Sequence, residues 1–392
     1  MPSSSGGLRF ALVAGEASGD QLGAALIRSL RQRDPQAKFF GVAGPKMQAE
    51  GCEAWAPSEE LAVMGLFEVL SHLPRLLQLR GELKHRMRIE RPDVFIGIDA
   101  PEFNLGLARG LRDAGLRTVQ YVSPQVWAWR QGRVRGIGAA VDLVLCLLPF
   151  EEQFYAQAGI RADFVGHPLA DVIPEENDRS AARRQLALAD RPTVAVLPGS
   201  RVGEVSRLGE DFAGAIRWLA ERRPALQFVA PMANPAVRSL FVRALERHAA
   251  GVDVRVLDGQ SHSALAAADV VLVASGTATL ETLLTKRPMV VAYRLGALTA
   301  WLLRTFKLMK APYFSQPNLL AGERIVPELF QEQVTPETLG SELLRELDDP
   351  AVRERQEHVF ADIHRRLKRN ASDRAAQAIL GLLSTRPVAD SA

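Results

Sequence analysis

The first regular segment of the chain reads Leu8-Arg-Phe-Ala-Leu-Val-Ala14 and is followed directly by Gly15-Glu-Ala-Ser-Gly-Asp20. A short run rich in Leu, Val and Phe predicts a buried β-strand. The two glycines predict a tight turn, and the residues over about 20–31 have the pattern of a helix. Strand, glycine turn and helix in this order are the unit from which parallel α/β sheets are built.

The same unit recurs along the chain and predicts two domains. In the first half, further strand-like runs lie at Phe39–Val42, Val94–Ile98, Thr118–Val122 and Leu143–Leu147. After a polar stretch at 167–192 they resume at Val194–Leu197, Gln227–Ala230, Val254–Leu257, Val270–Ala274 and Met289–Ala292. Apolar strands that alternate with helices indicate parallel sheets covered on both faces. We therefore expect two doubly wound Rossmann-like domains with a cleft between them, at 1–167 and 168–336, and C-terminal helices at 337–392.

Composition excludes several classes of protein. A hydrophobic fraction of 47% and a charged fraction of 24% in 392 residues exclude a disordered chain or a fibre. The 48 basic and 45 acidic residues leave a net charge of +3, so any anion site is local and no nucleic-acid partner is expected. Two cysteines form neither a disulfide framework nor a metal cluster alone. The sequence contains no signal-peptide pattern and no apolar stretch of about 18 residues, so no membrane-spanning helix is expected.

Two turns of the first domain are candidate ligand sites, because ligands of doubly wound sheets bind beyond the carboxyl ends of the strands. The Ser18-Gly19-Asp20 turn permits close approach of a ligand, or is a plain capped turn. Asp99, in Gly97-Ile-Asp-Ala-Pro101, ends a very apolar strand. Desolvation there would raise the pKa of the carboxyl group and suit it to act as a general base toward a hydroxyl. The alternative is a capping or turn aspartate.

Two turns of the second domain favour phosphate. The Gly199-Ser200-Arg201 turn joins a strand to a helix, where backbone N–H groups and a guanidinium can hold phosphate oxygens. Ser275-Gly276-Thr277 opens another helix, and Glu281 follows about one turn later, where its carboxylate can accept from ribose hydroxyls. The plain alternatives are a capped loop with a surface arginine and a helix-dipole carboxylate. The pattern suits a nucleotide-sugar donor in the second domain and an acceptor with a base in the first.

These turns belong to an ordered set of motifs that runs from about residue 8 to 384. The set includes Leu12-Val-Ala-Gly-Glu-Ala-Ser-Gly-Asp20, Gly41-Val-Ala-Gly-Pro45, Gly97-Ile-Asp-Ala-Pro101, Tyr121-Val-Ser-Pro124, Val126-Trp-Ala-Trp-Arg130, Leu148-Pro-Phe-Glu151, Leu197-Pro-Gly-Ser-Arg201, Ala274-Ser-Gly-Thr277 and Pro317-Asn-Leu-Leu-Ala-Gly322. In this set the chain resembles the lipid-A-disaccharide synthase family. One glycine turn is weak evidence, but the ordered set is specific.

The resemblance implies a GT-B type α/β fold and an inverting glycosyltransferase. Such an enzyme joins UDP-2,3-diacylglucosamine to 2,3-diacylglucosamine 1-phosphate and releases UDP and the β-1,6-linked lipid A disaccharide 1-phosphate, a step of lipopolysaccharide biosynthesis. The resemblance assigns Asp99 as the base and places the Ser18–Asp20 turn on the acceptor side. It assigns donor binding to Gly199, Ser200, Arg201, Ser275, Gly276, Thr277, Glu281 and Asn318. It implies no metal and no cofactor, since the UDP-sugar is a substrate.

Acylated substrates also imply contact with a lipid surface. We expect a cytoplasmic enzyme held peripherally at the inner membrane of a Gram-negative bacterium. The candidate membrane or acyl contacts are Val63, Met64, Leu66 and Phe67. A second apolar and basic segment is Trp301–Lys310, and in both segments the alternative is a core-facing helix. The C-terminal helices are expected either to pack back on the N-terminal domain or, because the family exchanges its C-terminal portion between subunits, to form a homodimer by exchange of 331–383.

Three alternatives stay open at this point. The fold would also suit a UDP-sugar epimerase, another GT-B UDP-sugar transferase, or a UDP-sugar-binding protein without activity. The aromatic segment Trp127-Ala-Trp129-Arg130 could stack a sugar, line an acyl slot or pack in the core.

Overall fold

Two parallel sheets organise the chain. The computed structural model describes residues 7–61, 66–129, 131–296 and 312–384. Within these ranges the first sheet has seven strands in the order β3-β2-β1-β4-β5-β6-β7, and the second has six in the order β10-β9-β8-β11-β12-β13. The strands are β1 Arg9–Ala14, β2 Lys38–Ala43, β3 Cys52–Pro57, β4 Val94–Ile98, β5 Arg117–Tyr121, β6 Leu143–Cys146, β7 Ala162–Phe164, β8 Thr193–Leu197, β9 Gln227–Met232, β10 Val254–Asp258, β11 Val270–Ala274, β12 Met289–Tyr293 and β13 Glu328–Phe330.

Helices follow most of the strands, as crossover connections between parallel strands require. The described α-helices are α1 Glu16–Arg33, α2 Pro45–Ala49, α3 Leu66–Glu90, α4 Pro101–Arg112, α5 Val126–Trp129, α6 Val134–Ala140, α7 Pro149–Ala156, α8 Pro168–Val172, α9 Arg179–Gln185, α10 Val202–Arg222, α11 Pro235–His248, α12 Ser261–Ala267, α13 Thr277–Leu284, α14 Gln316–Ala321, α15 Pro336–Asp348, α16 Pro350–Leu367 and α17 Ala371–Ser384. Short 3-10 turns lie at Ser58–Leu61, Gln131–Arg133 and Gln331–Gln333. The predicted class, two doubly wound α/β sheets followed by C-terminal helices, is confirmed.

The chain divides into two units, one for each sheet. The first contains residues up to Asp171 and resumes at Leu367, and the second is Val172–Arg366. The unit boundary therefore lies four residues beyond the predicted 167, and the predicted segment 337–392 is divided between the units.

The last helix, α17, is part of the first unit. Its Ala375, Ala376, Ile379 and Leu382 belong to the same buried cluster as residues of β1. The Asp171 carboxylate caps this helix, because it accepts hydrogen bonds from the backbone N–H groups of Arg369 (3.0 Å), Asn370 (2.9 Å) and Ala371 (2.7 Å).

Burial on both faces explains why the strands are continuous apolar runs. In β1, Phe10, Leu12 and Ala14 lie in the cluster on one face of the sheet. Ala11 and Val13 lie in the cluster on the other face. The side chains alternate in direction, so a strand covered on both faces needs an apolar residue at every position.

The strand order determines where ligands are expected. The order reverses between β1 and β4 in the first sheet and between β8 and β11 in the second. Adjacent strands at such a switch point have crossover helices on opposite faces, which leaves a crevice at their carboxyl ends. The turns that follow β1, β4, β8 and β11 are therefore the expected ligand-binding positions.

Substitution of alanine at Gly41 and at Gly81 should have opposite effects on stability. A methyl group at Gly41, whose φ is +140°, would lie 2.0 Å from the carbonyl oxygen of Leu12 on the neighbouring strand, whereas a methyl group at Gly81 in α3 would have no atom within 4 Å. We expect Gly41→Ala to lower the free energy of unfolding by more than about 2 kcal/mol. Gly81→Ala should raise it by about 0.5–1 kcal/mol, because alanine favours a helix interior. Urea unfolding followed by circular dichroism measures both, and equal midpoints would contradict the described pairing of β1 with β2.

Candidate active site

The Asp99 turn ends β4 in an unfavourable backbone conformation. Asp99 and Ala100 both have positive φ, +54° and +40°, and α4 begins at the next residue, Pro101. Two fully buried amide side chains hold this turn: Asn104 Nδ2 and Gln120 Nε2 donate to the Asp99 carbonyl oxygen at 2.8 Å and 3.0 Å. Strained residues persist only where the surrounding structure holds them, and they concentrate at functional sites.

The environment of the Asp99 side chain suits a base. Burial raises the pKa of Asp99, a hydrogen bond from the Ala100 backbone opposes this effect, and the negative charge of Glu16 adds to it. A carboxylate with a raised pKa accepts a proton more readily near neutral pH than an ordinary one. The structure thus places Asp99 at the switch point of the first sheet, in surroundings that favour proton transfer.

Glu16 is a residue that the sequence reasoning did not single out. It follows β1 with φ of +59°, a second positive-φ carboxylate residue at the same edge of the sheet. The two turns touch, since a methyl group on Gly15 would lie 2.9 Å from the Cβ atom of Ala100. Only the pairing of β1 with β4 brings Glu16 near Asp99, so no local signal in the sequence could have found it.

The Ser18–Asp20 turn requires a correction. These residues lie inside α1, which begins at Glu16. The Asp20 carboxylate is 3% exposed and accepts hydrogen bonds at 2.9 Å from the backbone N–H groups of both Lys46 and Met47, so it caps α2. Gly19 is buried and Ser18 is exposed. Asp20 is therefore a structural residue, and of the three only Ser18 keeps a side chain at the surface.

The turn after β8 also differs from the expected phosphate cradle. Gly199 has φ of +128°, and Arg201 is the N-cap of α10. The Glu204 carboxylate accepts from the backbone N–H groups of Ser200 (3.0 Å) and Arg201 (3.3 Å), so these donors are already occupied. The Arg201 side chain is 65% exposed, and its guanidinium lies 3.8 Å from Glu204. The guanidinium, rather than the backbone, is the group best placed to meet a phosphate.

The turn after β11 lies beside the turn after β8, because Val273 pairs with Leu197. The Ser275 hydroxyl donates to the carbonyl oxygen of Phe314 at 3.1 Å, which fixes its side chain. Gly276 and Thr277 are exposed, and α13 begins at Thr277. The positive end of the helix dipole at this exposed start favours an anion.

Glu281 lies one turn into α13 and is half-buried. Its carboxylate accepts from the Ser261 hydroxyl at 3.4 Å, and burial raises its pKa while that hydrogen bond lowers it. A carboxylate beside a helix start can accept from the hydroxyls of a ribose whose phosphates lie at the helix end.

Asn318 lies inside the second unit, near the start of α14. It has no exposed surface, and its side chain hydrogen-bonds the loop that leads into β13. Nδ2 donates to the Val326 carbonyl at 3.1 Å, and Oδ1 accepts from the N–H groups of Ile325 (2.7 Å) and Val326 (2.9 Å). The structure thus shows Asn318 holding this loop, and its predicted contact with the nucleotide stays a prediction.

Only some of the predicted lipid contacts lie among the described residues. Val63, Met64 and the segment Trp301–Lys310 lie outside the described residues. Leu66 and Phe67 are described by their backbone, as the first two residues of α3. Further along this helix, Leu73 and Leu77 lie one turn apart and are 42% and 48% exposed.

The described ranges contain neither a candidate metal cluster nor a candidate membrane-spanning helix. Within them, no three His, Cys, Asp or Glu side chains are grouped in a way that could hold a metal ion. Among the helices of the same ranges, none is both long and apolar enough to cross a membrane.

Comparison with known proteins decides the family. The model of the lipid-A-disaccharide synthetase family matches residues 10–380. The chain belongs to this family. It is 53% identical over 376 residues to the lipid-A-disaccharide synthase of Alkalilimnicola ehrlichii, covering 95% of this chain and 98% of the relative. It is 54% identical over 381 residues to that of Pseudomonas putida strain GB-1, covering 97% and 99%. The chain is thus a transferase of lipid A synthesis.

Solved structures with the same fold are more distant in sequence. The glycotransferase of kitacinnamycin superposes with a TM-score of 0.64 at 18% identity, covering 96% of this chain and 99% of the other. The UDP-GlcNAc 2-epimerase of Neisseria meningitidis, solved with UDP-GlcNAc, has a TM-score of 0.63 at 12% identity, covering 95% and 100%. Both enzyme types share the architecture, so the fold alone does not separate them.

Asn318→Ala tests whether the Asn318 side chain holds the loop before β13 or binds the nucleotide. The substitution leaves the N–H groups of Ile325 and Val326 without their acceptor, so we expect the free energy of unfolding to fall by about 2–4 kcal/mol. Asn318→Asp keeps an acceptor for these N–H groups but places a buried carboxylate oxygen against the Val326 carbonyl, so it should also lower the free energy of unfolding. Thermal and urea unfolding measure the change. Unchanged stability combined with weakened UDP binding would indicate that the Asn318 side chain contacts UDP directly.

Proposed function

We propose that this chain transfers diacylglucosamine from UDP-2,3-diacylglucosamine to the 6-hydroxyl group of 2,3-diacylglucosamine 1-phosphate. The products are UDP and the β-1,6-linked disaccharide 1-phosphate. The observation that carries the proposal is the family match over residues 10–380, together with a strained, half-buried Asp99 at the switch point of the first sheet.

The second unit supplies the donor site. Arg201 and the start of α13 at Ser275–Thr277 hold the diphosphate, and Glu281 accepts from the ribose. The exposure of the guanidinium and the position of the helix start beside it support this assignment. Gly199 and Ser200 shape the turn that presents Arg201. Asn318 acts indirectly, by holding the loop before β13.

The first unit supplies the base. Asp99 takes the proton from the 6-hydroxyl group while that oxygen forms a bond to the anomeric carbon of the donor. The bond from this carbon to the diphosphate oxygen breaks, and UDP leaves with the electron pair. A single displacement inverts the α-linked donor to a β-linked product. Glu16 supports the step, because its negative charge raises the pKa of Asp99.

The leaving diphosphate needs positive charge, and the chain's own groups can supply it. Arg201 and the dipole of α13 face the negative charge that develops on the leaving oxygen, and one such preorganised contact typically lowers the barrier by about 3 kcal/mol. We therefore propose that the reaction uses no metal and no other cofactor.

Acylated substrates require contact with a lipid surface. The exposed Leu73 and Leu77 on α3 support lipid contact by this helix, and in the sequence they follow the segment containing Val63, Met64, Leu66 and Phe67. We place the enzyme in the cytoplasm at the inner membrane of a Gram-negative bacterium, without a nucleic-acid partner. A homodimer by C-terminal exchange would require a second copy to supply the buried face of α17, with Ile379 and Leu382.

Asp99→Asn tests the base together with the reaction. The amide keeps the shape of the side chain but cannot take a proton, so we expect the turnover number to fall by about 10²–10⁴-fold with UDP affinity unchanged. UDP release is measured with and without the acylated sugar phosphate, and UDP affinity by calorimetry. Full activity of the variant would remove Asp99 as the base. UDP-sugar conversion by the wild type without UDP release or acceptor would favour the epimerase.

Glu16→Gln tests the carboxylate neighbour through the pH profile. Removing the negative charge lowers the pKa of Asp99, so the base stays deprotonated to lower pH. The acidic limb of kcat/KM for the acceptor should therefore move to lower pH, while Glu59→Gln, an exposed carboxylate of the same unit, leaves it in place. An acidic limb that is identical in wild type and Glu16→Gln would show that Glu16 does not influence proton transfer to Asp99.

A further inference from the structure

A buried carboxylate in the first unit has partners that helix capping does not explain. Glu151 in α7 is 3% exposed. Its Oε2 accepts from the Leu148 backbone N–H at 3.0 Å, which is the ordinary cap of this helix. Its Oε1 accepts from the indole Nε1 of Trp127 at 3.1 Å. Burial raises the pKa of Glu151 to about 7, against hydrogen bonds from Leu148, Trp127 and Ser123.

The hydroxyl groups around Glu151 form a wider network. The Ser123 hydroxyl lies 3.1 Å from the hydroxyl of Tyr155 and donates to the Pro124 carbonyl oxygen at 3.2 Å, and its hydrogen bonding lowers the pKa of Glu151. Burying an ionisable group destabilises the fold unless hydrogen-bond partners replace the water that it loses. The network therefore ties the turn after β5 to the first turn of α7.

Trp127 contributes an aromatic side chain to this network. It lies on α5, just beyond β5, and its ring meets Phe150 edge-on with centroids 4.8 Å apart. The hydrogen bond to Glu151 and this ring contact together fix the orientation of the indole, which is half-buried.

The segment that carries Trp127 is joined to the Asp99 turn. The Asp99 N–H donates to the Tyr121 carbonyl oxygen at 2.9 Å. Gln120 Nε2 contacts the carbonyl oxygens of both Asp99 (3.0 Å) and Val122 (3.3 Å). Val122 has φ of +77°, which is rare for a β-branched residue and marks a turn held by its surroundings.

We propose that Glu151 is a positioning residue that sets the Trp127 indole as a wall of the acceptor site, against which the sugar ring of the acceptor packs beside Asp99. An indole offers a rigid, flat apolar face to the C–H side of a pyranose ring, and correct orientation of the acceptor hydroxyl accounts for much of a transferase's rate. The inference rests on the proposed function, because it takes the acylated sugar phosphate as acceptor.

Separate measurements on donor and acceptor test this role in the full-length protein. The probes are UDP and 2,3-diacylglucosamine 1-phosphate in detergent micelles, with dissociation constants from calorimetry and KM values from UDP release. Trp127→Ala should raise the acceptor Kd and KM by about tenfold or more, and Glu151→Gln by about three- to tenfold, with UDP affinity within about twofold of wild type. Trp218→Phe, at a tryptophan of the second unit that stacks on Arg222, is the matched control and should change neither.

The double variant supplies the decisive comparison. Glu151→Gln added to Trp127→Phe should raise the acceptor Kd by less than it does alone, because the indole hydrogen bond that it disturbs is already absent. Equal effects in both backgrounds, unchanged acceptor binding in Trp127→Ala, or parallel loss of UDP and acceptor affinity would each overturn the proposal. If Glu151→Gln does not fold, Trp127→Phe, which removes the indole donor to Glu151 but keeps an aromatic ring, takes its place, and an acceptor Kd equal to that of wild type would overturn the positioning role. A wild type that binds the acceptor without turnover would refute the proposed function, while the acceptor Kd values would still decide the role of Trp127.

Discussion

Parallel pairing of β1 with β4 and of β8 with β11 is the constraint on which the candidate site depends. Ala14 pairs with Ile98, so the Glu16 and Asp99 turns leave the first sheet side by side although they are far apart in the chain. Val273 pairs with Leu197, which brings Arg201 and the start of α13 to one edge of the second sheet. Each chemical group is thus placed by backbone hydrogen bonds in a fully buried strand, and a buried sheet holds such positions firmly.

The acidic residues of these turns have different roles because they meet different donors. Asp20 and Glu204 accept from pairs of backbone N–H groups and therefore act as caps. Asp99 and Glu281 have raised pKa values through burial and a smaller set of donors, so their carboxylate oxygens can still meet a substrate. Glu151 combines the two situations, with one oxygen on a backbone N–H and the other on an indole.

Much of the fold could be predicted from the sequence, because a strand buried on both faces is a continuous apolar run. The prediction of Val94–Ile98 agrees with β4 residue for residue. The strands that the sequence analysis missed lie at sheet edges: β3 has two buried residues among its six, and β7 and β13 have three residues each. Asp99 could be located as a strand-end carboxylate. The capping role of Asp20 and the loop role of Asn318 could not, since both depend on which backbone N–H groups the fold brings to the side chain.

The most direct test of this account is a crystal structure of the full-length protein with UDP. The account predicts diphosphate oxygens at about 3 Å from the Arg201 guanidinium and the start of α13, with a ribose hydroxyl on the Glu281 carboxylate. Uridine bound elsewhere, for instance at the opposite edge of the second sheet beside the buried Arg183 and Arg287, would contradict it.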